Sequence, residues 1–193
     1  MTFYALILFI HIGSAFFLFA GLILECTAFS FFRRTTEPGA IQQWIRVASF
    51  SAKVYGPAIG LIILSGGYLG SVLKAWNQAW LPASFLTLVV AGLGGAAVTA
   101  PRIRILKKTD VRPGSTLTTE LKMRIQDPIL IASVRIRVAL VLGVLLLMVS
   151  KVDLRATLLI ALSALVLGFV ASVPLWKQRP RLAGNNGGPS ATL

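Results

Sequence analysis

The chain has 193 residues, 56% hydrophobic and 13% charged, with 19 Lys and Arg against 6 Asp and Glu and a formal net charge of +13. A mean hydropathy of +0.81 excludes a water-soluble globular domain, and apolar runs of membrane-spanning length exclude a nucleic-acid reading of the positive charge. One histidine and one cysteine exclude a histidine-built zinc site and an intramolecular disulfide.

A bilayer core of roughly 30 Å takes about 20 mostly apolar residues per helix. Five windows meet this, at about 4–32, 47–73, 81–100, 129–150 and 156–176. They predict an all-α integral membrane protein, a five-helix transmembrane bundle forming a single domain over 1–182. The remainder, 183–193, contains "AGNNGGPSATL", which has no periodicity and is expected to be a disordered tail. No basic residue precedes the first window, which is also longer than a signal-peptide core, so it reads as a spanning helix. Lipid-anchor patterns are absent from both ends.

The first window, "ALILFIHIGSAFFLFAGLILECTAFSFF", contains His11 and Glu25. At 100° per residue, residues 11, 14, 15, 18, 22 and 25 share one face, so His11, Ser14 and Glu25 are expected to face the bundle. Glu25 lies roughly 10 Å inside the end of its helix. Lys53 in the second window and Arg135 and Arg137 in the fourth reach a comparable depth from the same side. A lone charge in hydrocarbon is costly, so Glu25 is expected to form an intramembrane ion pair with Lys53, Arg135 or Arg137 that fixes helix register. Arg135 and Arg137 are about 200° apart on a helical wheel, so one faces Glu25 and the other snorkels.

The second window carries Gly56, Gly60, Gly66 and Gly70, and the third carries Gly92 and Gly95 within "AGLGGAA". Small residues at four-residue spacing let backbones approach in lipid, where apolar burial gives no drive to associate, so these glycines are expected to pack helices. Pro57 is expected to bend the second helix near its start, and Pro82 sits at a helix start, where its missing N–H costs little. Trp76 and Trp80 in the connection between these helices suit the outer interface.

Basic residues alternate along the chain. The first connection holds Arg33, Arg34 and Arg46, and the third holds Arg102, Arg104, Lys107, Lys108, Arg112, Lys122 and Arg124. The tail adds Lys177, Arg179 and Arg181, whereas the second connection has only Lys74 and the fourth only Lys151 and Arg155. The positive-inside rule then places the amino terminus outside and the carboxyl terminus in the cytoplasm. The third connection, "KKTDVRPGSTLTTELKMRIQDP", reads as a turn at Pro113 and Gly114 followed by a short helix. Leu117, Leu121, Met123 and Ile125 make one side of it partly apolar, suiting either a surface helix drawn to anionic lipid headgroups or a solvated connector.

His11 has two readings: a hydrogen-bonded structural residue near the interface, or an axial haem ligand, since haem needs only one histidine from a chain. No nucleophile with its base can be assembled around one histidine. Three function classes follow. A non-enzymatic membrane subunit or scaffold, in a homo-oligomer or larger membrane complex, fits the short loops and few polar groups. A haem-binding redox protein fits His11. A small transporter would require a polar cavity reaching Glu25.

The stretch "LFIHIGSAFFLFAGLILE" resembles the opening helix of a broad group of small bacterial membrane proteins with a histidine near the helix start. "LLLMVSKVDL" is similar to the Met-Val-x-Lys ending of an integral membrane family called domain of unknown function twenty-two sixty-nine. The glycine-rich second helix, the outer Trp and the basic third connection follow the same order, so the resemblance covers most of the chain. It implies a multi-pass protein of the bacterial cytoplasmic membrane. More distantly, the chain is similar to copper-resistance protein D and J-type protoporphyrinogen oxidase, which use a similarly placed first-helix histidine, in the latter as a haem ligand. The resemblance implies that role for His11. The chain departs from these patterns in having no second histidine and in having Ser150 and Val152, where the family usually shows an apolar residue and a proline, on either side of Lys151.

The charge alternation is testable by reporter fusion. A reporter placed after Leu193 should behave as cytoplasmic and one within residues 74–80 as external, and finding both on one side would refute the topology.

Overall fold

The computed structural model describes residues 2–32, 34–35, 37–108, 124 and 127–176. Five helices are long and apolar enough to cross a membrane, and no strand occurs among the described residues. They are α1 (Phe3–Phe32), α2 (Pro38–Val72), α3 (Trp80–Lys108), α4 (Pro128–Ser150) and α5 (Leu154–Trp176). A 3-10 turn, Ala75–Asn77, joins α2 to α3. The surface segment expected within the third connection and the expected tail lie outside the described residues, Arg124 apart.

Helix ends differ from the apolar windows where the chain turns polar. α2 starts at Pro38 instead of 47, and α3 continues to Lys108 instead of stopping at 100. Hydropathy registers only what hydrocarbon accepts, whereas backbone hydrogen bonding continues a helix into the headgroup region. Pro38 occupies the first turn of α2, where its fixed φ favours starting a helix. The 35 residues of α2 extend about 52 Å, well beyond a bilayer core. Pro57 consequently lies in the middle of α2, not near its start, and withdraws the N–H that the Lys53 carbonyl would otherwise accept. α4 ends at Lys151, whose φ of 45° and bond from its N–H to the Leu147 carbonyl make a left-handed cap.

Close approaches of backbone set the helix pairs. At Gly21 of α1 an added Cβ would lie 3.1 Å from the Cβ of Tyr55 on α2. At Gly168 of α5 it would lie 2.8 Å from the Cα of Ile136 on α4. α3 and α4 are tied at their basic ends, where Arg102 Nε donates to Asp127 Oδ2 at 2.9 Å. The other oxygen of Asp127 caps α4 by accepting from the Ile129 N–H at 3.0 Å. Leu158, Leu159, Leu162 and Phe169 of α5 and Phe9 and Phe16 of α1 are exposed, forming the surface that lipid would cover.

The contact at Gly168 gives a measurable consequence, because it meets a backbone atom that cannot rotate away. Gly168→Ala should lower stability by about 1–3 kcal/mol in detergent melting, although alanine is the better helix former. Gly13→Ala, where an added Cβ meets nothing within 4 Å, serves as the control. Equal melting of the two variants would show that α4 and α5 are not held at this point.

Candidate functional site

Two cavities lie at different depths in the bundle, one polar and one apolar. The polar one is organised by Arg137 of α4, whose Nη2 donates to Glu25 Oε1 of α1 at 2.7 Å and to Thr99 Oγ1 of α3 at 3.0 Å. Both charged side chains are 4% exposed. The guanidinium carbon also lies 5.2 Å from the ring centroid of Tyr55 on α2, within cation–π range. Thus one guanidinium from α4 touches α1, α2 and α3. α3 accommodates it by a π-helical turn, Gly95–Thr99. An added Cβ at Gly95 would sit 3.1 Å from Arg137 Nη1, so the absence of a side chain lets the guanidinium lie along the α3 backbone. Thr99 Oγ1 lies 3.2 Å from Ser133 Oγ of α4, which extends the polar contact between these helices.

Of the three cations expected near Glu25, Arg137 makes the pair. Arg135, on the other side of α4, does not snorkel freely: its Nη1 donates to the Ala171 carbonyl, because α5 runs alongside within reach. Lys53 is exposed and makes no ion pair among the described residues. It lines a cavity of about 380 Å³ between α2 and α3, together with Glu25, Tyr55, Arg104 and Arg137. The Tyr55 hydroxyl and Arg137 Nε are buried without a hydrogen-bond partner among the described residues.

The glycines divide between two roles. Gly66 faces the His11 ring, Gly70 the Leu81 side chain, Gly92 Ile59, and Gly95 Arg137 and Tyr55. The packing expected of Gly56 and Gly60 is not found, since an added Cβ at either meets nothing within 4 Å. α2 and α3 meet at Gly70 and Leu81 and again at Ile59 and Gly92, so it is the exposed orientation of Gly56 and Gly60 that leaves them unpacked, and the polar cavity opens beyond, near Lys53. Tyr55, Thr99 and Arg104 were not legible as site residues. Tyr55 looks like any aromatic in an apolar run, and Thr99 is brought to Arg137 by a π-turn that has no sequence marker.

At the other end, His11 Nδ1 lies 3.0 Å from Ser65 Oγ of α2. Ser65 Oγ in turn donates to the Leu61 carbonyl, so the imidazole and the hydroxyl form a linked polar contact between α1 and α2. Gly66 admits the ring, since an added Cβ would lie 3.1 Å from Cε1. His11 lines an apolar cavity of about 470 Å³ between α1 and α4, with Phe16, Phe19, Leu88, Val144 and Met148 among its walls. A packed cluster that includes Leu18, Leu22, Tyr55, Ile59 and Val141 lies between the two cavities. No group of three or more His, Cys, Asp or Glu able to hold a metal ion occurs among the described residues.

Five apolar helices around a buried ion pair define a polytopic α-helical membrane protein. The chain belongs to the family described as "predicted integral membrane protein (DUF2269)", whose model matches residues 5–152. No curated protein and no solved structure matches it. The matched span contains His11, Ser65 and Met148 as well as Glu25, Tyr55, Thr99 and Arg137, while α5 lies beyond it.

Breaking one side of the ion pair leaves the other charge buried. Glu25→Gln should therefore destabilise the protein by about 3–5 kcal/mol, and replacing Glu25 and Arg137 together by Leu and Met should recover much of that loss. Lys53→Gln, at an exposed position, should change stability by less than about 0.5 kcal/mol. Melting of the purified variants in detergent measures all three, and equal losses for Glu25→Gln and Lys53→Gln would contradict a structural role for the pair.

Proposed function

We propose that this protein is a non-enzymatic haem-binding subunit of the bacterial cytoplasmic membrane, with its amino terminus outside and His11 as axial ligand. The proposal rests on the placing of His11, which is held by Ser65 Oγ 3.0 Å from Nδ1 and lines an apolar cavity that Met148 also lines. A ligating histidine usually has its other ring nitrogen held by a hydrogen bond, which fixes the orientation of the ring.

The residues fit the group. His11 would hold the iron, the Met148 thioether is a second donor of the type found in haem proteins, and aromatic and aliphatic walls suit a porphyrin face. No charged side chain lines the cavity, so the porphyrin carboxylates would rely on water or headgroups. When bound, haem supplies one-electron redox chemistry. The chain's own residues supply the frame. Ser65 orients the imidazole, Gly66 makes room for the ring, and Phe16, Phe19 and Leu88 exclude water. The Glu25–Arg137 pair holds α1 and α4 in the register that puts His11 and Met148 on one cavity.

Without haem the same bundle is a membrane scaffold. Transport has a polar cavity reaching Glu25, as it would require, but the packed cluster between the cavities interrupts any polar route to the His11 end among the described residues.

Protein produced with haem available should show a Soret band. His11→Ala should remove it without unfolding the bundle, and Ser65→Ala should weaken haem affinity by about 10-fold or more. A colourless, folded preparation would overturn the haem assignment and leave the scaffold.

A further inference from the structure

The polar cavity has features that the ion pair does not use. Glu25 and Arg137 neutralise one another, which leaves Lys53 on α2 and Arg104 on α3 as uncompensated charges in the described lining. Both are exposed, and neither is ion-paired with a described residue. In the same wall Tyr55, 5% exposed, and Arg137, 3% exposed, lie against each other, with the Tyr55 hydroxyl and Arg137 Nε sealed from the cleft. The rest of the lining includes Ala52, Gly56, Gly92 and Ala96, which leave the space between the helices open.

We propose that this cleft binds a phosphate group, with Lys53 and Arg104 gripping it from the two sides and the neutral Glu25–Arg137 pair forming its inner wall. Phosphate combines the two properties the cleft selects for: negative charge and several strong acceptor oxygens on one atom. Lys53 contributes a mobile point charge and Arg104 a planar fork of donors, both suited to a phosphate oxygen. Basic pockets between membrane helices are a known setting for anionic headgroups. Arg104 lies four residues from the end of α3, roughly 6 Å, near the level of headgroup phosphates. A lipid phosphate is accordingly the expected occupant, and free inorganic phosphate is the other source of the same chemistry. The site is separate from the His11 cavity and stands whether or not haem binds.

The test uses the full-length protein in detergent, titrated with dioleoylphosphatidylglycerol, dioleoylphosphatidylcholine or inorganic phosphate, with melting temperature giving apparent affinity. The anionic lipid should bind at least tenfold more tightly than the zwitterionic one. The double variant Lys53→Gln/Arg104→Gln should lose that preference. Gly56→Leu, which adds bulk where nothing lies within 4 Å and removes no charge, should weaken binding while keeping the fold. Tight binding of inorganic phosphate with the same dependence on Lys53, Arg104 and Gly56 would uphold the phosphate site and assign it to the soluble ion. Indifference of all three probes to these substitutions would overturn the proposal.

Discussion

Arg137 can hold its charge within the apolar bundle because Glu25 meets it at 2.7 Å and Thr99 at 3.0 Å, with the Tyr55 ring alongside. Each contact comes from a different helix, so the desolvation cost of one guanidinium is offset only when α1, α2 and α3 all stand in their native register against α4. In lipid this matters more than it would in water. Apolar packing does not by itself favour one helix arrangement over another when lipid tails are as apolar as leucine. A charge that must find its partner distinguishes among arrangements that packing leaves nearly equal.

Other features of the bundle accommodate this junction. The α3 helix widens into a π-turn and presents a glycine where the guanidinium lies against it. α1 and α2 come together at Gly21, where the backbone approaches Tyr55, the residue that also faces Arg137. α2 and α3 are held at the Leu81 end and stand apart near Lys53, leaving a cleft whose wall includes the ion pair. The register fixed at this end also positions the opposite one. There α1 and α4 border an apolar cavity with His11 on one helix and Met148 on the other. The two cavities differ in chemistry because the intervening core is filled by aliphatic side chains and by the ring of Tyr55.

The individual residues show how far the pattern could be read. Glu25 was legible as a bundle-facing acid because residues 11, 14, 18, 22 and 25 share a helical face, and Ser14, Leu18, Leu22 and Glu25 are indeed buried. That an arginine of α4 should lie at its depth was also legible. Choosing between Arg135 and Arg137 was not, because the wheel separates the two without saying which side of α4 meets α1. The role of Ser65 was hidden for a similar reason: it lies 54 residues from His11 along the chain, and only the antiparallel packing of α1 on α2 brings them together. Gly56 and Gly60 mark the opposite failure. Their spacing is that of a packing motif, yet α3 meets α2 at Ile59 and Tyr55 instead, and Gly56 and Gly60 are turned to the exposed side of the helix.

The sequence by itself determined the membrane class, the number of spanning helices and the presence of buried charges that had to be matched. These follow from composition and local periodicity, since transfer into hydrocarbon is a property of each segment alone. It did not determine where helices continue past the apolar slab, as at Pro38 and Lys108, because hydropathy is blind to a helix in the headgroup region. Only the tertiary structure decided that Arg137 is Glu25's partner, that Thr99 and Tyr55 complete the junction, and that His11 meets Ser65. Each of these depends on the rotation and height of one helix against another, and no residue carries that information until the helices have packed.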